Sequence, residues 1–119
     1  MNLSEFYHQI NGDLQAARRR FYSDTMLCRF LVQFLDEPSG MVLQTLSIQK
    51  DRDAVIRAVH TLIGQAAAFG FDALAKNSAA LVQALRDNQD EQAAELRFQV
   101  TGEYIRITRA IRSLDFYVG

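Results

Sequence analysis

An all-α fold, an antiparallel four-helix bundle with an additional N-terminal helix, is predicted by three observations on this chain. Apolar residues recur at spacings of three and four along almost the whole length, which is the period of a helix face. No stretch alternates apolar and polar residues at a period of two, as a half-buried strand would. One proline and no tryptophan stand among many Ala, Leu, Gln and Arg, a set that favours helix. The 119 residues fit a single domain, 1–119, with one core. Its patterning divides into an N-terminal helix over about 4–21 and the bundle over about 23–115.

In the N-terminal helix Ser4 is the expected N-cap, with Glu5 in the first turn. Leu3, Phe6, Ile10, Leu14, Ala17 and Phe21 make its apolar stripe, and Asn11-Gly12-Asp13 offers a point at which it could divide in two. Arg18, Arg19 and Arg20 close it, favourably placed beside a helix C-terminus. Ser23 or Asp24 caps the next helix, whose inward residues are Leu27, Phe30, Leu31, Phe34 and Leu35. Asp36-Glu37-Pro38-Ser39-Gly40 is the clearest break in the sequence. Met41, Leu43, Leu46 and Ile48 follow as a short helix, or as a continuation kinked at Pro38. Gln49-Lys50-Asp51-Arg52 is a polar turn.

A helix then runs from Asp51 or Asp53 to Phe69, with Val55, Val59, Leu62, Ala66 and Phe69 as a narrow core seam. Gly70 ends it as a C-cap, and Asp72 starts the next helix almost at once, so the two are antiparallel neighbours. Leu74, Ser78, Leu81, Val82 and Leu85 line that next helix, which ends near Arg86-Asp87-Asn88. Asp90 with Glu91 opens the last and longest one, seamed by Ala93, Val100, Tyr104, Ile107, Ile111 and Leu114. Arg106, Arg109 and Arg112 lie three apart on an outer, solvated face. The tail Phe116-Tyr117-Val118 is apolar and is expected to fold back on the bundle.

Composition removes several classes of function. Thirteen Lys and Arg against fourteen Asp and Glu leave a net charge of −1, so neither nucleic acid nor membrane is expected as a partner. No apolar run reaches the roughly 18 residues that span a bilayer. MNLSEFYHQ lacks the basic and apolar regions of a signal peptide, and the expected location is the cytoplasm. The single cysteine, Cys28, rules out an internal disulfide and reads as a small buried hydrophobe. With two histidines and one cysteine, a zinc site is not expected. Neither metal nor cofactor is expected. Gly64 and Gly70 follow no strand and precede no Lys-Ser/Thr pair, which excludes a phosphate-binding loop. His8 reads as a surface histidine.

What remains is the stretch from Ala58 to Gly70. A glycine inside a helix costs about 1 kcal/mol relative to alanine, so Gly64 calls for a reason. Residues four apart on a helix are neighbours, and a glycine at 64 leaves room beside His60. Ala67, a further turn along, keeps that room clear. His60 lies about 100° around the helix from Val59, off the core seam. A histidine ring nitrogen can act as a nucleophile, and an imidazole standing free on a helix face can be approached by a partner's phosphoryl group.

The run His60-Thr61-Leu62-Ile63-Gly64-Gln65-Ala66-Ala67, followed by Phe69-Gly70, resembles the histidine-phosphotransfer (HPt) motif His-x-Leu-Lys-Gly-Ser-Ala with its downstream glycine. The resemblance covers roughly Ser23 to Leu114. It implies a four-helix bundle that exchanges phosphoryl groups with the aspartates of response-regulator receiver domains, or accepts them from a hybrid sensor histidine kinase. It also implies a phosphocarrier without autonomous catalysis, with His60 phosphorylated and Gly64 and Ala67 shaping the site. Two departures stand out. Ile63 occupies the usual place of lysine, and Gln65 that of a small residue. Arg57, three residues before His60, is a cation on the same face that could substitute for the lysine. Ile56, Arg57 and Ile63 are the expected docking surface, unless Ile56 and Ile63 only widen the core stripe. The chain is expected to act as a monomer. Its alternatives are an HPt-like adaptor or inhibitor that binds a receiver or kinase without carrying phosphate, and a structural bundle that dimerises through the apolar ring.

Overall fold

The structure, a computed structural model, describes residues 1–116. Seven helices occur among them: α1 (Leu3–Gln9), α2 (Leu14–Arg20), α3 (Asp24–Phe34), α4 (Pro38–Thr45), α5 (Arg52–Phe69), α6 (Asp72–Arg86) and α7 (Asp90–Arg112). The all-helical bundle expected from the periodicity is what forms. The most extensive pairings are α5 with α6 and α6 with α7, so α6 packs between its two chain neighbours. Both links are short, which forces antiparallel pairing. Helix α3 closes the bundle against α7, while α4 packs on α5 and α7 and α2 lies on α5. All the seam residues expected on α5 are buried, as are those of α6 and α7.

The N-terminal helix expected over about 4–21 is in fact two helices. Asn11 turns the chain at φ 55°, and Asp13 then caps α2 by accepting from Ala16 N at 3.0 Å. The N-cap of α1 is Asn2 rather than Ser4. Asn2 Oδ1 accepts from Glu5 N at 2.9 Å and Glu5 Oε1 accepts from Asn2 N at 3.0 Å. This reciprocal box needs its acidic partner three residues after the cap, and Glu5 selects Asn2. Ser23 caps α3 by accepting from Met26 N.

One residue expected to point inward does not. Phe30 is 40% exposed, because it packs at the rim on Phe21, with ring centroids 5.4 Å apart. Met41 is 70% exposed, since α4 restarts at Pro38 as an independent helix. That helix turns Ser39, Gly40 and Leu43 inward and puts Met41 outside. Gly40 is a close approach: a Cβ there would land on the Tyr104 ring. Cys28 is half-buried rather than buried. Burial is the main influence that pushes its thiol pKa up, with Asp24 adding to it. Of the apolar tail, Tyr117 and Val118 lie outside the described residues, while Phe116 lines a shallow groove with Cys28 and Val32 of α3.

Helix ends are closed by long-range partners. Arg97 of α7 donates to the carbonyls of Leu43 and Leu46 and so satisfies the C-terminus of α4. Arg52 donates to Leu85 O at 3.0 Å and pairs with Asp90 at 2.7 Å, closing the end of α6. The end of α5 is held by the N-terminal helices. Tyr7 Oη donates to Phe69 O at 2.7 Å, and Asp13 N donates to Gly70 O at 2.8 Å. Burial pushes the Tyr7 hydroxyl pKa well above its ordinary value, so it stays a donor.

Gly70 has φ 73°, a left-handed C-cap, and a Cβ at this position would strike the Asp13 carbonyl. Gly70→Ala is therefore expected to destabilise by about 3 kcal/mol, from the left-handed backbone and the displaced clasp together. A urea titration should show a lowered midpoint at unchanged slope. A midpoint equal to that of the unmodified chain would refute this account of α5's end.

Candidate functional site

Helix α5 begins at Arg52 after Asp51, with Asp53 in its first turn, favourable at the positive end of the helix dipole. Val55, Ala58, Val59, Leu62, Ala66 and Phe69 anchor it inward. That anchoring fixes the rotation of the helix and hence what points out. His60 is exposed, as are Asp53, Arg57, Thr61, Gly64 and Ala67. These residues form a single outward strip. A Cβ built on Gly64 meets no heavy atom within 4 Å, so the space beside the imidazole is open. The Thr61 hydroxyl is turned back on its own helix, donating to Arg57 O at 3.1 Å.

Ile56 and Ile63 are half-buried and pack against the core. They border the strip and expose only part of their surface to a partner, so widening the core stripe is a large part of what they do. No ion pair engages Arg57 among the described residues. On α6, Lys76 is exposed. His8 is exposed on α1, in its last turn.

The other departure from the HPt motif, Gln65, lies about 140° around the helix from His60, facing α2 and α3. It lines a cavity of about 240 Å³ with Phe21, Phe30, Phe34, Ala68 and Phe69. Its Oε1 is buried and accepts no hydrogen bond among the described residues. That cavity lies away from the histidine strip, whose residues are exposed on the outer face of α5. Among the described residues no group of three or more His, Cys, Asp or Glu could hold a metal ion. None of the helices described is long and apolar enough to cross a membrane.

Sequence reasoning missed the polar clasp from Tyr7 and Asp13 to the end of α5. No local pattern marks a bond across 62 residues. It also passed over Phe98, which is 83% exposed. A signal was present there: Phe98 is a large apolar residue off the seam of α7.

Compared with known proteins, the family model described as Hpt domain matches residues 3–113. No curated protein and no solved structure gives a match.

Proposed function

The chain belongs to the Hpt domain family, which places it in two-component phosphorelay signalling, and from that premise we propose that His60 takes a phosphoryl group from one receiver aspartate and passes it to another. A hybrid sensor kinase is an alternative donor. The observation that carries the reading is an exposed imidazole beside a glycine whose surroundings are open. A lone pair on a ring nitrogen of His60 attacks phosphorus. The P–N bond forms as the P–O bond to the aspartyl group breaks, and the aspartate leaves as carboxylate. The next receiver reverses the step. The donor and acceptor domains bring the divalent cation and most of the groups that stabilise the transferring phosphoryl. The carrier has to supply a nucleophile, clearance and a surface.

On this reading Gly64 and Ala67 keep the approach clear, and Arg57 faces the phosphoryl oxygens where the family usually has lysine at position 63. An arginine can hold such oxygens through two parallel donors. The exposed parts of Ile56 and Ile63 border the contact. Residues 1–119 act as one bundle domain, in the cytoplasm, as a phosphocarrier without catalysis of its own.

The second reading, an adaptor that binds a receiver without carrying phosphate, is favoured by one observation: Ile63 stands where lysine is usual and packs on the core. Incubation with a phosphorylated receiver domain separates the two. Acid-labile, alkali-stable label should appear on this chain. Binding of the receiver with no label would establish the adaptor instead.

A further inference from the structure

The outward face of α7 takes no part in the site above. Phe98 stands on it with 83% of its surface exposed. One turn on, Gly102 is exposed as well, and a Cβ built there meets nothing within 4 Å. The pair is a knob and a hole side by side, on the side of the helix opposite Val100, Tyr104, Ile107 and Ile111. On the same face Glu91 and Glu95 lie toward the N-terminus, and Arg106 and Arg109 toward the C-terminus. All four are exposed, and none is in an ion pair among the described residues. Along this strip, charge runs from acidic to basic with the apolar knob and hole between.

We infer that this face binds a second copy of the chain, the two α7 helices crossing antiparallel about a two-fold axis near Val100. The register follows from the spacing. Setting Phe98 over Gly102 of the second copy sets Gly102 under the second Phe98, because a two-fold contact is self-complementary. The same register sets Glu91 against Arg109 and brings Glu95 beside Arg106, twice each. A parallel pairing would instead oppose like charges along the strip. The glycine permits close approach of the helices, the aromatic rings supply the buried anchor, and the rim charges fix orientation. Only one helix per copy takes part, so the contact belongs among the small, reversible interfaces. Helix α5 packs on α6, itself between α5 and α7, so both His60 side chains stay accessible. The inference does not depend on phosphotransfer. It replaces the monomer expected from the sequence and differs from dimerisation through the ring around His60.

Sedimentation velocity on the full chain, from micromolar to millimolar concentration, tests it. A reversible monomer–dimer equilibrium, weakened by salt, is expected. Phe98→Glu should weaken it at least about tenfold, because it places a charge in the anchor. Glu91→Arg and Arg109→Glu should each be monomeric alone, since each then opposes like charges. Mixed in equal amounts they should form a dimer containing one of each, because the two-fold register restores both pairs. These positions are exposed, and circular dichroism should show unchanged helicity for every variant. A wild-type chain that stays monomeric throughout, a dimer indifferent to Phe98→Glu, or mixed variants that fail to associate would overturn the proposal.

Discussion

With glutamine in place of His60, acid-labile label from a phosphorylated receiver is expected to fall by at least about 10³-fold, the scale on which loss of a nucleophile is felt. Glutamine approximates the reach and polarity of imidazole, but its amide nitrogen has no available lone pair. The fold should tolerate the change. His60 is exposed and makes no side-chain hydrogen bond among the described residues, so no buried partner is orphaned. Receiver binding should persist, because the surrounding strip of Ile56, Arg57, Ile63 and Ala67 is untouched. Thermal unfolding and a pull-down against the receiver are the controls. Label that persists on His60→Gln would mean that another residue carries it, with His8 the first to inspect.

Gly64→Leu is expected to separate stability from function. Leucine is the better helix former by up to about 1 kcal/mol, and nothing at this site stands in its way. Melting should therefore stay level or rise. Transfer should fall about 10²-fold, the penalty for holding reacting atoms out of line by roughly an ångström. The branched side chain would stand in the space that the proposed transfer requires, one turn from the imidazole. A variant that melts higher and transfers at the normal rate would remove the access argument. Loss of both transfer and helicity would point to a packing role for Gly64, contrary to the open surroundings.

Much of this fold was legible because its period is local. The seams of α5, α6 and α7 follow from spacings of three and four, and all of their expected residues are buried. The exposure of the candidate strip was legible for the same reason: once Val59 and Leu62 face inward, His60 and Gly64 face out. What escaped were features set by phase or by distance along the chain. The outward position of Met41 depends on the phase that the restart at Pro38 gives α4. Ser4 reads as the N-cap because its side chain can cap, and only the reciprocal bonds between Asn2 and Glu5 place the cap two residues earlier. The spacing of Phe30 predicts core, because a stripe residue at a bundle's edge has the same spacing as one at its centre. The ends of α4 and α6 depend on Arg97 and Arg52, whose carbonyl partners are known only after the helices have docked. Ile56 and Ile63 fell between categories, half in the core and half on the rim, where pattern alone does not apportion a side chain.

The clasp on α5 has a kinetic consequence. Helices α5, α6 and α7 are joined by links of a few residues, so their pairing closes small loops. The contact from Tyr7 to Phe69 spans 62 positions, and closing a loop of that size is entropically dearer and slower. The natural order of events is therefore hairpin first and clasp last. The strip that bears His60 is assembled by the later part of the chain, and its first two helices arrive as a latch on a surface already built.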